Sequence, residues 1–385
     1  MTSVMQTHVL RALFRAALAA VDPRRAVATA LSKPDVARAL SGARRVGVFA
    51  AGKAAAGMFR AAWREGREGL IVLPKGDPAP PNRRGVRVLF AAHPEPDLAS
   101  LRAARAAIRF FSRFGRDDVV LCLVSGGTSS LLCLPRPGVT LAQKRLAVRR
   151  LVRAGASIAE INRLRISLSA IKGGKLGRAT TARLVTLVMS DVAGDSPALV
   201  GSGPTVRNRR GDRTRVVASN RQGLEGAARE ARRLGLTPRL RFVELGGEAR
   251  EAGKSRGHAT VRLRIGEVQL AGGETTVSLG RRHGKGGRNL ELALAAAREI
   301  EGRAGVALLA AGSDGRDGSA RAAGAIVDGR TLRRARTLGL DPDRALKRHD
   351  TEPFFERVGG LVRTGPTGTN VADWAFGVRV LKGEQ

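Results

Sequence analysis

Two serine-aspartate turns set the chemical agenda of this chain. MSDVAGD (Met189–Asp195) carries Asp191 and Asp195, and GSDGRDG (Gly312–Gly318) carries Asp314 and Asp317. Each turn directly follows an apolar, strand-like run. A third acid, Glu274, stands in the Gly-Gly turn of GGETTV. In open α/β sheets ligands gather at the carboxyl ends of strands. Carboxylates there can hold Mg²⁺ or accept a proton from a substrate hydroxyl. The plainer reading is an Asx turn or a helix cap, both of which aspartate favours. For any one aspartate the two readings balance. Two such turns in a chain with only 33 acids tilt it toward chemistry.

Glycine-rich segments supply the opposite polarity. SGGTSSLL (Ser125–Leu132) combines Gly126 and Gly127 with the hydroxyls of Ser125, Thr128, Ser129 and Ser130. A helix beginning there offers backbone N–H groups to an anion; the alternative is an ordinary strand-to-helix turn. FAAGKAAAGM sets Lys53 immediately after a strand, and IKGGKLGRA groups Lys172, Lys175 and Arg178 around a glycine pair. GKGGRNLELALAAA (Gly284–Ala297) places two glycines, Arg288 and Asn289 at the start of a helix. The glycines give clearance, the guanidinium a fork and the helix start a partial positive charge, so an anion is expected there. His93, in HPEPD, is a candidate acid-base group or ligand, although a lone histidine in a turn is more often structural. GGEAREAGKS mimics a P-loop but has one residue too many, and the segment after Ser255 reads as turn then strand. No GxGxxG opens an N-terminal β-α unit. Anion cradles, cations and scattered carboxylates together suit phosphoryl transfer, where positioning and charge neutralisation do most of the work.

The elements that must position these groups follow a β-α-β rhythm. RRVGVFAAG, EGLIVLP, VRVLFAA, DDVVLCLVSGG and ARLVTLVMSDV read as buried strands separated by helices, the pattern of a mostly parallel sheet. Past a boundary at GGEAREAGKSRGH, the runs ATVRLRI, GEVQLAGG and ETTVSLG are expected as close-spaced antiparallel strands. They precede the helix after Arg288 and the strand GVALLAAG in a second α/β domain. The division expected is 1–245 and 258–385. THVLRALFRAALAAVDP resembles a signal peptide, but Arg11 and Arg15 interrupt it at helical spacing and favour an amphipathic first helix.

Composition excludes several classes. The apolar fraction of 43% suits a packed core, and no run of apolar residues is long enough to span a membrane. Cys122 and Cys133 form neither a metal-ligand spacing nor a disulfide framework, which points to a cytoplasmic protein. The net charge of +35 invites nucleic acid, yet the arginines are dispersed and aromatics make up only 3%. A solvated basic surface that attracts anionic small molecules is the better reading.

Taken in order, AGKAAAGM, HPEPD, LVSGGTSSLL, NRLRISLSAIKGGKL, MSDVAGDSPALVGSGPT, GGETTV, GKGGRNLELALAAA, AAGSDGRDGSARAAGAIVD and TGPTGTNV resemble the class II glycerate kinases, whose C-terminal part is the MOFRL domain. The resemblance spans most of the chain. It implies a Rossmann-like N-terminal domain with a mostly parallel sheet, a mixed-sheet C-terminal domain and an active site in the cleft between them. It also implies phosphorylation of D-glycerate by ATP with Mg²⁺ to give 2-phosphoglycerate, in a protein free to form a homo-oligomer. The family's motif lysine falls on Lys53 and its motif arginine on Arg288. On this reading both grip the transferring phosphoryl group, and Ser125, Gly126, Gly127, Thr128 and Ser129, with Lys172, take nucleotide phosphates or the glycerate carboxylate. Asp191 binds Mg²⁺ or acts as base, with Asp314 its competitor for either role. Glu274 and Asn289 are second choices for substrate hydroxyls, and the Gly284 loop is expected to hold phosphate or carboxylate oxygens. Thr128, Leu290, Arg321 and Leu98 depart from the family pattern. Relatives in this family also carry the label hydroxypyruvate reductase, the competing activity.

Overall fold

A computed structural model of the chain describes residues 2–154, 158–280 and 283–380. It forms two compact units. One comprises residues 22–219 with 368–370; the other comprises the described residues within 1–21, 220–367 and 371–385.

The first unit is built on six strands, β1 (Val46–Ala51), β2 (Glu68–Pro74), β3 (Val86–Ala91), β4 (Val119–Val124), β5 (Arg183–Met189) and β6 (Arg213–Ala218). All pair in parallel, in the order β3-β2-β1-β4-β5-β6. All five strands expected here are present. Four of them, β1, β2, β4 and β5, are buried almost throughout, which is why they read as unbroken apolar runs. The fifth, β3, lies at one edge of the sheet, and β6 at the other; both carry exposed positions. Helix Leu98–Phe111 covers one face, its start fixed by a reciprocal capping box between Asp97 and Ser100. Phe111 meets Phe49 of β1 edge to face at 5.2 Å.

The second unit holds β7 (Thr237–Leu245), β8 (Glu267–Gly273), β9 (Val306–Gly312), β10 (Gly324–Asp328), β11 (Leu361–Val362) and β12 (Asp373–Arg379). Their order is β11-β10-β9-β12-β8-β7; β7 and β8 run parallel and the other pairs antiparallel, so the sheet is mixed.

The expected division at 246–257 differs from this arrangement. Helix Thr2–Ala20 is present as the amphipathic pattern required, but it belongs to the mixed-sheet unit, as do helix Asn220–Arg233 and β7. The reason is burial: Leu10, Leu13 and Ala17 are fully covered, and Phe14 packs edge to face on Trp374 of β12 at 5.8 Å. The segment read as a boundary is largely helix Ala249–Val261. ATVRLRI is therefore helix and turn rather than strand, and ETTVSLG contributes only an isolated bridge at Thr276. Gly253 looked like a loop signal, but a Cβ there would lie 2.3 Å from the Leu292 carbonyl oxygen, so glycine permits close helix packing. The P-loop mimic still fails, for a changed reason: a helix is present, but Lys254 and Ser255 sit inside it rather than at the end of a phosphate loop. Among the described residues no helix is long and apolar enough to cross a membrane.

Trp374 is fully buried between Phe14 and Phe376. Trp374→Ala should destabilise the mixed-sheet unit by about 3–5 kcal/mol in urea unfolding followed by circular dichroism. A loss below about 1 kcal/mol would show that the ring does not hold the first helix to the sheet.

Candidate functional site

In the parallel sheet the chain leaves β1 toward β2 on one side and β4 toward β5 on the other. Neighbouring strands whose connections diverge leave a crevice at their carboxyl ends, the switch point where α/β sheets bind ligands. Lys53 and the Ser125–Ser129 loop stand at this position. The Lys53 N–H donates to the Gly126 carbonyl at 2.9 Å, and the Ala54 N–H donates to Ser125 Oγ at 3.0 Å. Thr128 Oγ1 lies 2.8 Å from the Ala51 carbonyl oxygen and 2.7 Å from that of Ser125. Ser125 and Thr128 are both buried. Their hydroxyls therefore tie the β1 and β4 tips together instead of facing a ligand. Thr128, where the family pattern has glycine, carries part of this tie.

The N–H groups of Gly126 and Gly127 have no protein acceptor among the described residues. A Cβ on Gly126 would fall 1.9 Å from Asp191 Oδ2 and 2.1 Å from Asn370 Nδ2, so only glycine lets the loop approach this carboxylate. Asn370 Nδ2 donates to Asp191 Oδ2 at 3.1 Å. A Cβ on Gly127 would meet the His93 ring and Lys53 Cγ at 3.2–3.4 Å. One corner of the parallel-sheet unit thus gathers Lys53, Gly126, Gly127, Asp191, Asn370 and His93. Behind it, Lys172 is 2% exposed and donates to the Ser129 carbonyl and Oγ, each at 2.7 Å. Burial holds its pKa well below that of a free lysine.

The second group of expected residues lies in the mixed-sheet unit. Arg288 begins helix Arg288–Glu299. Its Nε and Nη2 grip the Asp373 carboxylate and its Nη1 bonds Glu274. Burial opposes the charge on Arg288, but Asp373 and Glu274 outweigh it and raise its pKa. Glu274 therefore positions the guanidinium. The start of this helix is occupied by the protein's own carboxyl group: Asp317 accepts from the Asn289 and Leu290 N–H groups at 3.0 and 2.8 Å. A Cβ on Gly287 would lie 2.3 Å from Asp317 Cγ. The N–H groups of Lys285 and Gly286 are taken by Asp350 and Ser319. Asn289, expected at a substrate hydroxyl, is buried and turns its amide to Asp317 at 3.3 Å. Asp314 accepts from the Arg316 N–H at 3.0 Å in the turn after β9.

The structure brings Lys53, the glycine loop and Asp191 together in one unit, and Arg288 and Glu274 together in the other. Asn370 and Asp373 were not singled out from the sequence. Asn370 lies within the TGPTGTNV motif and Asp373 two residues beyond it, at the start of β12; a polar residue in a glycine-containing turn just before a strand was the available signal. Among the described residues no three acidic, histidine or cysteine side chains cluster as a metal cage. Mg²⁺ is ordinarily bound through one or two carboxylates, with substrate phosphates and water completing its shell. Asp191, beside two N–H groups without protein acceptors, fits that role.

Comparison with known proteins places these features. Residues 9–234 match a domain of unknown function, DUF4147, and residues 267–373 match the MOFRL family. The chain is 35% identical to the glycerate 2-kinase of Pyrococcus horikoshii, covering 92% of this chain and 93% of the relative. It is 33% identical to the D-glycerate 2-kinase of Thermotoga maritima, covering 96% and 97%. A putative hydroxypyruvate reductase of Agrobacterium vitis is 38% identical over 96% of this chain and 94% of its own length. The crystal structure of the Thermotoga maritima glycerate kinase superposes with a TM-score of 0.83 at 31% identity, covering 99% of this chain and all of that one.

Burial raises Asp317 to about 7, against the pull of two backbone N–H groups. Its folded-state pKa exceeds its unfolded one, so its contribution to stability is complete below the unfolded value and declines as pH rises to about 7. The stability of wild type relative to Asp317→Asn should therefore fall between pH 4 and 7, roughly, in parallel denaturation series. A flat difference would show that Asp317 is ionised throughout.

Proposed function

The chain belongs to the class II glycerate kinase family, and from that premise we propose that it transfers the γ-phosphoryl group of ATP to the 2-hydroxyl of D-glycerate. The observation that carries this reading is the corner at the β1, β4 and β5 tips. A lysine, two backbone N–H groups without protein acceptors and a carboxylate stand there within one loop's breadth. Phosphoryl transfer asks for this combination of positive charge, pre-aligned donors and a nearby acid.

Within that reading, Lys53 and the Gly126 and Gly127 N–H groups take phosphate oxygens. Arg288 adds its remaining N–H donors, already oriented by Asp373 and Glu274. Asp191, held by the Asn370 amide, is the carboxylate assigned to Mg²⁺, and Asp314 is assigned the proton of the glycerate hydroxyl. Mg²⁺ supplies charge neutralisation at the β- and γ-phosphates when bound. The hydroxyl oxygen bonds to the γ-phosphorus, the bond to the β-phosphate oxygen breaks and ADP leaves.

The reductase name borne by some relatives asks for a nicotinamide cofactor. The turn after β1 reads Gly52-Lys53-Ala54-Ala55-Ala56-Gly57, without the glycine that lets a pyrophosphate approach, and Lys75 follows β2 where an acid would meet the ribose. Both features favour the kinase.

Purified protein with ATP, Mg²⁺ and D-glycerate should yield 2-phosphoglycerate, identified by phosphorus NMR. The absence of product across pH and metal conditions would overturn the proposal. Lys53→Ala and Arg288→Ala should each lower kcat by about 10²–10⁴ in the folded protein. Asp191→Asn should raise the Mg²⁺ concentration needed for half-maximal rate. Asp314→Asn should lower kcat without shifting that concentration; the reverse pattern would exchange their roles.

A further inference from the structure

A cavity of about 530 Å³ opens in the parallel-sheet unit beneath the HPEPD loop, and Ser129 lines it from the glycine loop. Five cations line it, Lys144, Arg145, Arg149, Arg165 and Lys172, and one carboxylate, Glu95. The cations fall into two sets. Arg145 and Arg149 stand at the exposed rim and share Glu95, at 2.6 Å from Arg145 Nη2 and 2.7 Å from Arg149 Nε. Lys144 and Lys172 are only 3% and 2% exposed. Lys144 Nζ donates to the Arg165 and Leu168 carbonyls at 3.3 and 3.1 Å, and Lys172 Nζ to Ser129. No carboxylate pairs with Lys144, Lys172 or Arg165 among the described residues.

Buried cations without acidic partners are costly unless an anion joins them. Each ammonium has three donors and spends two on the protein, which leaves one for a ligand. The remaining wall is mostly apolar, with Pro94, Pro96, Cys133 and Val148 beside the Ser130 hydroxyl. The volume falls in the range of nucleotide-sized ligand sites and far exceeds a three-carbon hydroxy acid. A ligand with a polyanionic end and a flat apolar end matches this lining.

We propose that this cavity binds the nucleoside triphosphate, with its phosphates between the buried Lys144 and Lys172 and the Arg145–Arg149 rim and its base against Pro94, Pro96 and Val148. Ser129 then joins the two halves of the reaction: it lines the cavity and belongs to the loop that presents the Gly126 and Gly127 N–H groups. The assignment rests on the kinase reading and adds which part of the chain receives the nucleotide.

The test measures ADP binding by calorimetry and the KM for D-glycerate on the full chain. It compares wild type with Lys144→Met and with the Arg145→Ala/Arg149→Ala double variant. The arginines are at the surface, so the double variant should keep its thermal transition, which circular dichroism would check. The ADP Kd should rise at least tenfold in both variants, the D-glycerate KM should move less than twofold, and tripolyphosphate should compete with ADP in wild type. Unchanged ADP affinity in the folded double variant would overturn the assignment and leave the kinase reading intact. A rise confined to the D-glycerate KM would make the cavity the acceptor's and equally overturn it. Wild type that binds no nucleotide and forms no product would sink both readings together.

Discussion

The N–H of Lys53 donating to the carbonyl of Gly126 closes the seam between β1 and β4. That short connection fixes where every group of the parallel-sheet corner can stand. Register in a sheet is all-or-none: a slip of one residue turns each side chain to the other face. Here Ala51 pairs with Val124, and Val124 pairs with Val188, so the three strand tips end level. The loops that follow must start together, and the buried hydroxyls of Ser125 and Thr128 hold them there. With the hydroxyls committed inward, the Gly126 and Gly127 N–H groups are left without a protein acceptor among the described residues, in a loop that Gly126 brings against Asp191. The sheet thus converts ladder geometry into an aligned set of donors, the preorganisation that phosphoryl transfer uses in place of covalent chemistry.

The second constraint is the shortage of acids. With 33 carboxylates against 68 lysines and arginines, each buried acid has a definable task. Asp373 and Glu274 orient Arg288, and Asp317 satisfies two N–H groups of the helix that Arg288 begins. These acids keep the guanidinium fixed before any substrate arrives, at the cost of offsetting part of its charge. Arg207 shows the same economy without a site: it spans the Gly177, Thr180 and Ala182 carbonyls and is neutralised by Asp212. The cavity beside the HPEPD loop contrasts with this: Lys144 and Lys172 are buried there without a carboxylate partner among the described residues.

Which features were legible in the sequence follows from how local their causes are. The inner strands of the parallel sheet are buried on both faces, so burial alone wrote them as apolar runs. Lys53 and Asp191 stood out because each follows such a run. The glycines of helix Ala249–Val261 misled because glycine signals a turn in isolation, whereas here it admits a neighbouring helix. That helix Thr2–Ala20 and β7 group with the mixed sheet could not be read, because their partners are hundreds of residues away or their pairing is specified only in three dimensions. Asp317 was visible as an acid in a turn but not as a cap. Caps ordinarily come from the residue preceding a helix, and this one comes from 28 residues further on. Asn370 reaches Asp191 across 179 residues, a contact that no local pattern announces.

The choice of cation in the cavity carries its own logic. Arginine keeps its charge in almost any surroundings, so burying one without a partner would be a standing penalty. Lysine can yield its proton instead. Burial brings Lys144 down to about 8 and lowers Lys172 further from its usual range. The cavity has lysines at its most buried positions and two arginines at its solvent-facing rim, with Arg165 between. A lysine whose proton is held less tightly costs less to bury than an arginine in the same place. On the nucleotide assignment proposed for this cavity, an anion at hydrogen-bond distance favours the ammonium form. On that assignment, tolerance of burial and attraction for a polyanion fall to the same two side chains, a combination that the permanently charged arginine is less suited to.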